Sequence, residues 1–185
     1  MAKKISSWKQ KSIYEVIAPE SFNSQGIGES VAKDPESLIG RTIKVSLKDM
    51  TGDRSKQHLR VIFEISEVKE GKAYAKFKAF NVTPSYLGSR VRKGSSKLDY
   101  VSTLTFSSDT KIRIKIMIVT HSYIFTSQKK DINAAITRVL DGHKESNLDE
   151  FVQLAVFGKL GSEIYRKIKK ISPLRRVEVG EIRVV

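Results

Sequence analysis

Residues 111–117 read KIRIKIM, with Lys111, Arg113 and Lys115 alternating against Ile112, Ile114 and Ile116. A period of two with cations on one side and isoleucines on the other describes an extended strand with one face in a core. The pattern recurs. In TIKVSLK (42–48) the apolar set is Ile43, Val45 and Leu47, and in HLRVIFEISEV (58–68) it is Leu59, Val61, Phe63 and Ile65. Glu70-Gly71 then offers a turn before KAYAKFKAFNV (72–82), which makes a hairpin. A second hairpin joins YVSTLTF (100–106) to KIRIKIMIV (111–119), with Ser107 to Thr110 as its turn. No sustained helical period appears between residues 40 and 120, so the spacing predicts a small barrel or sandwich.

After residue 120 the period changes to helical. Ile132, Ala135, Ile136, Val139 and Leu140 share one face of DINAAITRVLDG, with Asp131 near its start and Gly142 just past its end. NLDEFVQLAVFGKL opens on Asn147 as a cap with two acids in its first turn, and Gly158 and Gly161 weaken its far end. SEIYRKIKKI follows, headed by Ser162 and Glu163, with Ile164, Ile168 and Ile171 inward and Pro173 beyond. The closing RRVEVGEIRVV reads as a strand whose apolar phase slips from Val177 and Val179 to Ile182 and Val184, which places a bulge at Gly180. The expected fold is α+β, a β-barrel-like antiparallel core with two to three flanking helices in the C-terminal half. It carries a basic N-terminal arm over residues 1–18 and one β-rich domain over 19–185.

At 185 residues the chain suits one domain, burying roughly 70% of its unfolded surface. Its 34 Lys and Arg against 20 Asp and Glu leave +14, while 39% hydrophobic residues suffice for a core. A folded body of this charge attracts polyanions, nucleic acid or an acidic membrane surface. The chain has no cysteine, which removes disulfides, thiolate zinc and a cysteine nucleophile and suits a reducing compartment. MAKKISSWKQK has no apolar segment behind its lysines, so no signal peptide is expected, and the IMIV run is far short of a membrane span. A cytoplasmic protein is expected.

Catalytic patterns fail on spacing. In the basic stretch YLGSRVRKGSSKLD (86–99), Gly88 and Gly94 are one residue too far apart for a phosphate loop, and Lys93 precedes its glycine. In GIGES, Val31 stands where a dinucleotide-binding loop needs its third glycine. His58, His121 and His143 are widely spaced and read as ordinary strand or loop residues. Asp49 and Asp53 of KDMTGD read as turn aspartates before a cation site. No set of base, nucleophile and orienting group appears, so neither a catalytic residue, a metal site nor a cofactor is expected.

What recurs is positive charge at phosphate spacing. Lys111, Arg113 and Lys115 on one strand face stand about 6.6 Å apart, close to the repeat of a nucleic-acid backbone. The same pattern also serves a solvent-facing strand, where lysines guard edges. Tyr74, Lys76, Lys78 and Phe80 share a face that mixes aromatics with bases, either a single-strand platform or aromatics capping a core. From Lys159 to Arg176 the cations Lys159, Arg166, Lys167, Lys169, Lys170, Arg175 and Arg176 meet one acid, Glu163. Arg90, Arg92, Lys93 and Lys97 crowd a segment of glycines and serines read as a loop that orders on its partner.

These residues carry a resemblance. The stretch from Trp8 to Asp53, with WKQK, YEVIAPESF, IGE, LIGR and VSLKDMTGD, resembles the small-subunit ribosomal protein family of archaea and eukaryotes called S-three-A-e, or eukaryotic-type S-one. YLGSRVRKGSS is similar to that family's Tyr-x-Arg-Ser-x-Val-Arg-Arg-Gly block, and ISPLRRVEVGEI to its Pro-Leu-Arg signature. Gly88 stands where the family pattern has arginine, and residues 120–150 carry no family motif. The short end at Val185 implies an archaeal-type member.

The resemblance implies a structural constituent of the small ribosomal subunit, on the platform near the messenger exit. Its expected partners are small-subunit rRNA and neighbouring ribosomal proteins, with mRNA near the exit, and no membrane or small-molecule substrate. The residues expected to bind RNA are Lys3, Lys4, Trp8, Lys9 and Lys11 in the arm; Arg90, Arg92, Lys93 and Lys97; Lys111, Arg113 and Lys115; and Lys169, Lys170, Arg175 and Arg176. The competing reading is a free RNA-binding chaperone or an RNA-processing enzyme that acts transiently.

Overall fold

The computed structural model describes residues 11–106, 110–144 and 146–185. Lys3, Lys4, Trp8 and Lys9, and Ser107 to Asp109 of the second hairpin turn, lie outside the described residues. The chain is mixed α and β, and its described residues group into two compact units, 11–57 with 61–78 and 58–60 with 79–185.

The first unit holds β1 (Ser12–Ile17), β2 (Gly26–Ala32), β3 (Thr42–Ser46), α1 (Leu47–Thr51), most of β4 (Leu59–Lys69) and the first part of β5 (Lys72–Val82). Strand β1 falls inside the stretch read as an arm. It pairs antiparallel with β2 and parallel with the start of β5, Glu15 against Lys72, and buries Val16. Strands β3 and β5 both pair with β4. The β4–β5 hairpin is the one expected: Glu70 (φ 50°) and Gly71 (φ 79°) both adopt the left-handed backbone that a two-residue turn demands. Val61, Phe63 and Ile65 are buried at the alternate positions foreseen, with Phe22 edge-on to Phe63 at 5.3 Å between ring centres.

The strand read over 42–48 stops at Ser46. Its hydroxyl accepts the Lys48 amide at 3.3 Å and caps α1, which ends at Gly52 with φ 73°. Five residues are too few to show a helical period. Asp53 behaves as the turn residue anticipated, accepting from the Ser55 amide at 2.9 Å and its hydroxyl at 2.7 Å.

The second unit continues with α2 (Pro84–Arg90), β6 (Lys97–Thr105), β7 (Lys111–Thr120), α3 (Thr126–Gly142), α4 (Leu148–Val156), α5 (Lys159–Ile168) and β8 (Leu174–Val184). Here β6, β7, β8 and the end of β5 pair antiparallel in that order, and the recorded pairings leave the sheet open rather than closed on itself. The Phe106 amide donates to the Thr110 carbonyl at 3.1 Å across the base of the second hairpin. Lys115 pairs with Glu181 and Ile116 with Val179, so Gly180 is the extra residue of a bulge, as the phase slip required.

Ile112, Ile114, Ile116 and Ile118 are fully buried on the inner face of β7. Ile132, Ile136 and Leu140 of α3, Phe151 and Val152 of α4, and Leu160, Ile164 and Ile168 of α5 supply the buried faces of the three long helices, two of which contact the sheet at β6 and β8. A Cβ on Gly161 would meet the Val177 carbonyl at 3.3 Å, so the missing side chain lets α5 lie close on β8.

Two helix starts differ from the sequence reading. Helix α3 begins at Thr126, five residues before Asp131, where the Gln128 side chain accepts the Phe125 amide at 3.0 Å. Helix α5 begins at Lys159 because Gly158, at φ 78°, ends α4 and turns the chain at once into the next helix. The segment read as a flexible basic loop is largely regular. Arg90 closes α2 and Lys97 opens β6, leaving 91–96 as the connection. Pro84 at the first turn favours the helix, which at seven residues escapes a periodicity search.

Candidate nucleic-acid interface

The expected cation row exists. Lys111, Arg113 and Lys115 project from the exposed face of β7 while their isoleucine neighbours are buried. Folding adds a fourth cation. Arg183 of β8 is the register partner of Arg113, and Thr103 of β6 faces Arg113 from the other side. Opposed residues of an antiparallel pair have Cα atoms roughly 4.5–5.5 Å apart, and like charges there are destabilising. Arg183 finds relief in Glu181 at 3.3 Å, but both side chains are exposed and such a pair contributes little. Arg183 escaped the sequence reading because its exposure follows from the bulge, whereas its partner follows only from the β7–β8 register.

The second group lies at the end of α2. The Arg90 guanidinium sits over the Tyr86 ring, 4.4 Å from its centre, and His58 stacks on that ring at 3.6 Å. A 3.6 Å gap admits nothing further, so the guanidinium takes the opposite face. Arg176 donates to the Tyr86 hydroxyl at 3.3 Å and to Glu178 at 2.7 Å, while the hydroxyl reaches Glu178 at 3.5 Å. The Glu178 hydrogen bond raises the Arg176 pKa further, against the cost of partial burial. Arg176 is therefore committed within the protein and steadies Tyr86 under Arg90. Tyr86, His58 and Glu178 carry no sequence signal for this role, since they come from three distant segments.

Arg92 and Lys93 are exposed on a turn closed by the Ser95 hydroxyl, which donates to the Arg92 carbonyl at 2.6 Å, with Gly94 at φ 85°. Lys97 is paired with Asp99 at 2.8 Å on the exposed start of β6. Lys169 and Lys170 are exposed just past α5, Arg175 is half-buried, and Lys11 is exposed ahead of β1 in the first unit. Of the mixed face on β5, Tyr74 and Lys76 are exposed, Lys78 pairs with Glu64 at 3.1 Å, and Phe80 is buried as core. Among the described residues no three His, Asp or Glu side chains gather as a metal ion needs, and no helix is long and apolar enough to cross a membrane.

The model of the family described as the ribosomal S3Ae family matches residues 1–185. Similar proteins are small ribosomal subunit protein eS1 of Methanobrevibacter smithii, 37% identical over 180 residues, covering 97% of this chain and 93% of the relative; that of Halorubrum lacusprofundi, 36% identical, covering 95% and 82%; and that of Staphylothermus marinus, 38% identical, covering 93% and 82%.

Proposed function

Because the chain belongs to the ribosomal S3Ae family, we propose that it is a structural, non-catalytic constituent of the small ribosomal subunit that holds rRNA by its phosphates. The observation that carries this reading is the Arg113–Arg183 pair. Two guanidinium groups opposed on an open strand face cost stability in the free protein, and a phosphate between or beside them converts the repulsion into two charge-assisted contacts. Lys111 and Lys115 extend the row along the backbone repeat, and Arg90, Arg92 and Lys93 add a second cluster. Lys97, Lys169, Lys170, Arg175 and the basic stretch with Lys3, Lys4, Trp8, Lys9 and Lys11 serve as further contacts, while Arg176 acts through Tyr86.

The place we assign it is the platform, near the messenger exit, beside other small-subunit proteins in the cytoplasm. The test is assembly. Tagged native protein should stay with the small subunit through a high-salt gradient, and the Arg113→Glu, Arg183→Glu double variant should be recovered mainly at the top. A native chain that washes off at high salt while the variant behaves identically would favour a transient RNA-binding factor.

A further inference from the structure

The loop between β7 and α3 exposes two aromatic rings, Tyr123 at 76% and Phe125 at 77%, the most exposed aromatic side chains among the described residues. Exposure of this extent forgoes burial that each ring would otherwise gain. Ile124 between them is half-buried, while the two rings are exposed. Two connections fix the loop against the basic turn. The Ile124 amide donates to the Ser96 hydroxyl at 3.2 Å, and the Ser96 amide donates to the Thr120 hydroxyl at 3.0 Å. Buried Thr120 in turn donates to the Ser122 carbonyl at 2.6 Å. Ser96 directly follows the turn that carries Arg92 and Lys93, so rings and cations share one tethered corner of the second unit.

We propose that Tyr123 and Phe125 form a stacking platform for unpaired bases of single-stranded RNA, whose phosphates rest on Arg92 and Lys93. The surroundings favour RNA over a protein partner. The chain neighbours of the rings, His121, Ser122, Thr126 and Ser127, are exposed and polar, and the loop is tied through Ser96 to the cationic turn, whereas the core of a protein interface is depleted of charge. Aromatic faces beside a basic groove bind any base, because every base has a π-face, and the cations follow the backbone. The inference rests on the RNA-binding reading above and adds a substrate form, single-stranded rather than paired.

The test uses the full chain with two fluorescent RNAs of equal length, an unstructured single strand and a perfectly paired hairpin, by anisotropy at fixed salt. Tyr123→Ala with Phe125→Ala should weaken single-strand binding at least tenfold and leave hairpin affinity and the salt slope unchanged. Tyr123→Trp with Phe125→Trp should retain the affinity, whereas leucine at both positions should not. Unchanged single-strand affinity in the alanine variant, equal losses for both RNAs, or full retention by leucine would each overturn the platform. Intact RNA affinities with failed entry into the subunit would mean that the rings meet a protein, which also overturns it. If the native chain bound neither RNA, the RNA-binding reading itself would fall, whereas hairpin binding with no single-strand preference for aromatics sinks the platform alone.

Discussion

Arg113 and Arg183 face each other across the β7–β8 ladder, with Lys111 and Lys115 on the same exposed side. Like charges directly opposite on a sheet face are destabilising, and the exposed Glu181 beside Arg183 offsets this only weakly. The two properties of this face, a cost when free and a gain when occupied, can be measured separately.

Arg183→Gln should stabilise the free protein by at most about 0.2–1 kcal/mol, since it removes the like charge opposite Arg113 and gives up only a weak, exposed ion pair with Glu181. The same change should weaken RNA binding severalfold. Denaturant titration and anisotropy on one preparation give both signs, and a destabilised variant would refute the repulsion argument.

Tyr86 acts through Arg90 without bearing charge. Tyr86→Phe removes the hydroxyl between Arg176 and Glu178 and should cost about 0.5–1.5 kcal/mol. Tyr86→Ala also removes the ring beneath the guanidinium, so RNA affinity should fall while the slope of log affinity against log salt stays constant.

Salt titration counts the contacts. With about six phosphates neutralised, the slope should be near −4 to −5, and Arg92→Ala should flatten it by roughly one phosphate's share, about 0.7–0.9. A native slope near −1 would be incompatible with the cationic surface described.

The inner side of β7 is a matter of packing. Ile114→Ala should cost about 2–5 kcal/mol through lost burial and the cavity left behind. Gly161→Val should cost roughly 1–3 kcal/mol, because its first carbon already meets the Val177 carbonyl at 3.3 Å. Thermal melts of both variants check these values.

Acid should weaken the Asp53 turn. Hydrogen bonds from Ser55, then attraction to Lys56, hold its carboxyl below the ordinary aspartate value of 3.8. A depressed folded pKa gives stability that is present above the unfolded value and lost as pH falls through the folded one. Stability of the Asp53→Ala variant should therefore lie below native at neutral pH and converge on it at the acid end.

The strands of the second hairpin, the Glu70-Gly71 turn and the Gly180 bulge were legible in the chain itself, because each depends on side-chain period or on backbone angles that few residues tolerate. The short helices α1 and α2 were not, since five and seven residues complete too few turns for a period to emerge.

The sequence by itself determined that β7 would carry cations outward and isoleucines inward, and that the whole would be basic, because alternation and net charge are one-dimensional properties. Only tertiary structure decided that Arg183 would stand opposite Arg113, that Arg176 would donate to the Tyr86 hydroxyl, and that Ser96 would tie the basic turn to the loop of two exposed rings. Those relationships join residues between 28 and 90 positions apart through strand register and side-chain hydrogen bonds, and register is settled by the packing of every strand at once.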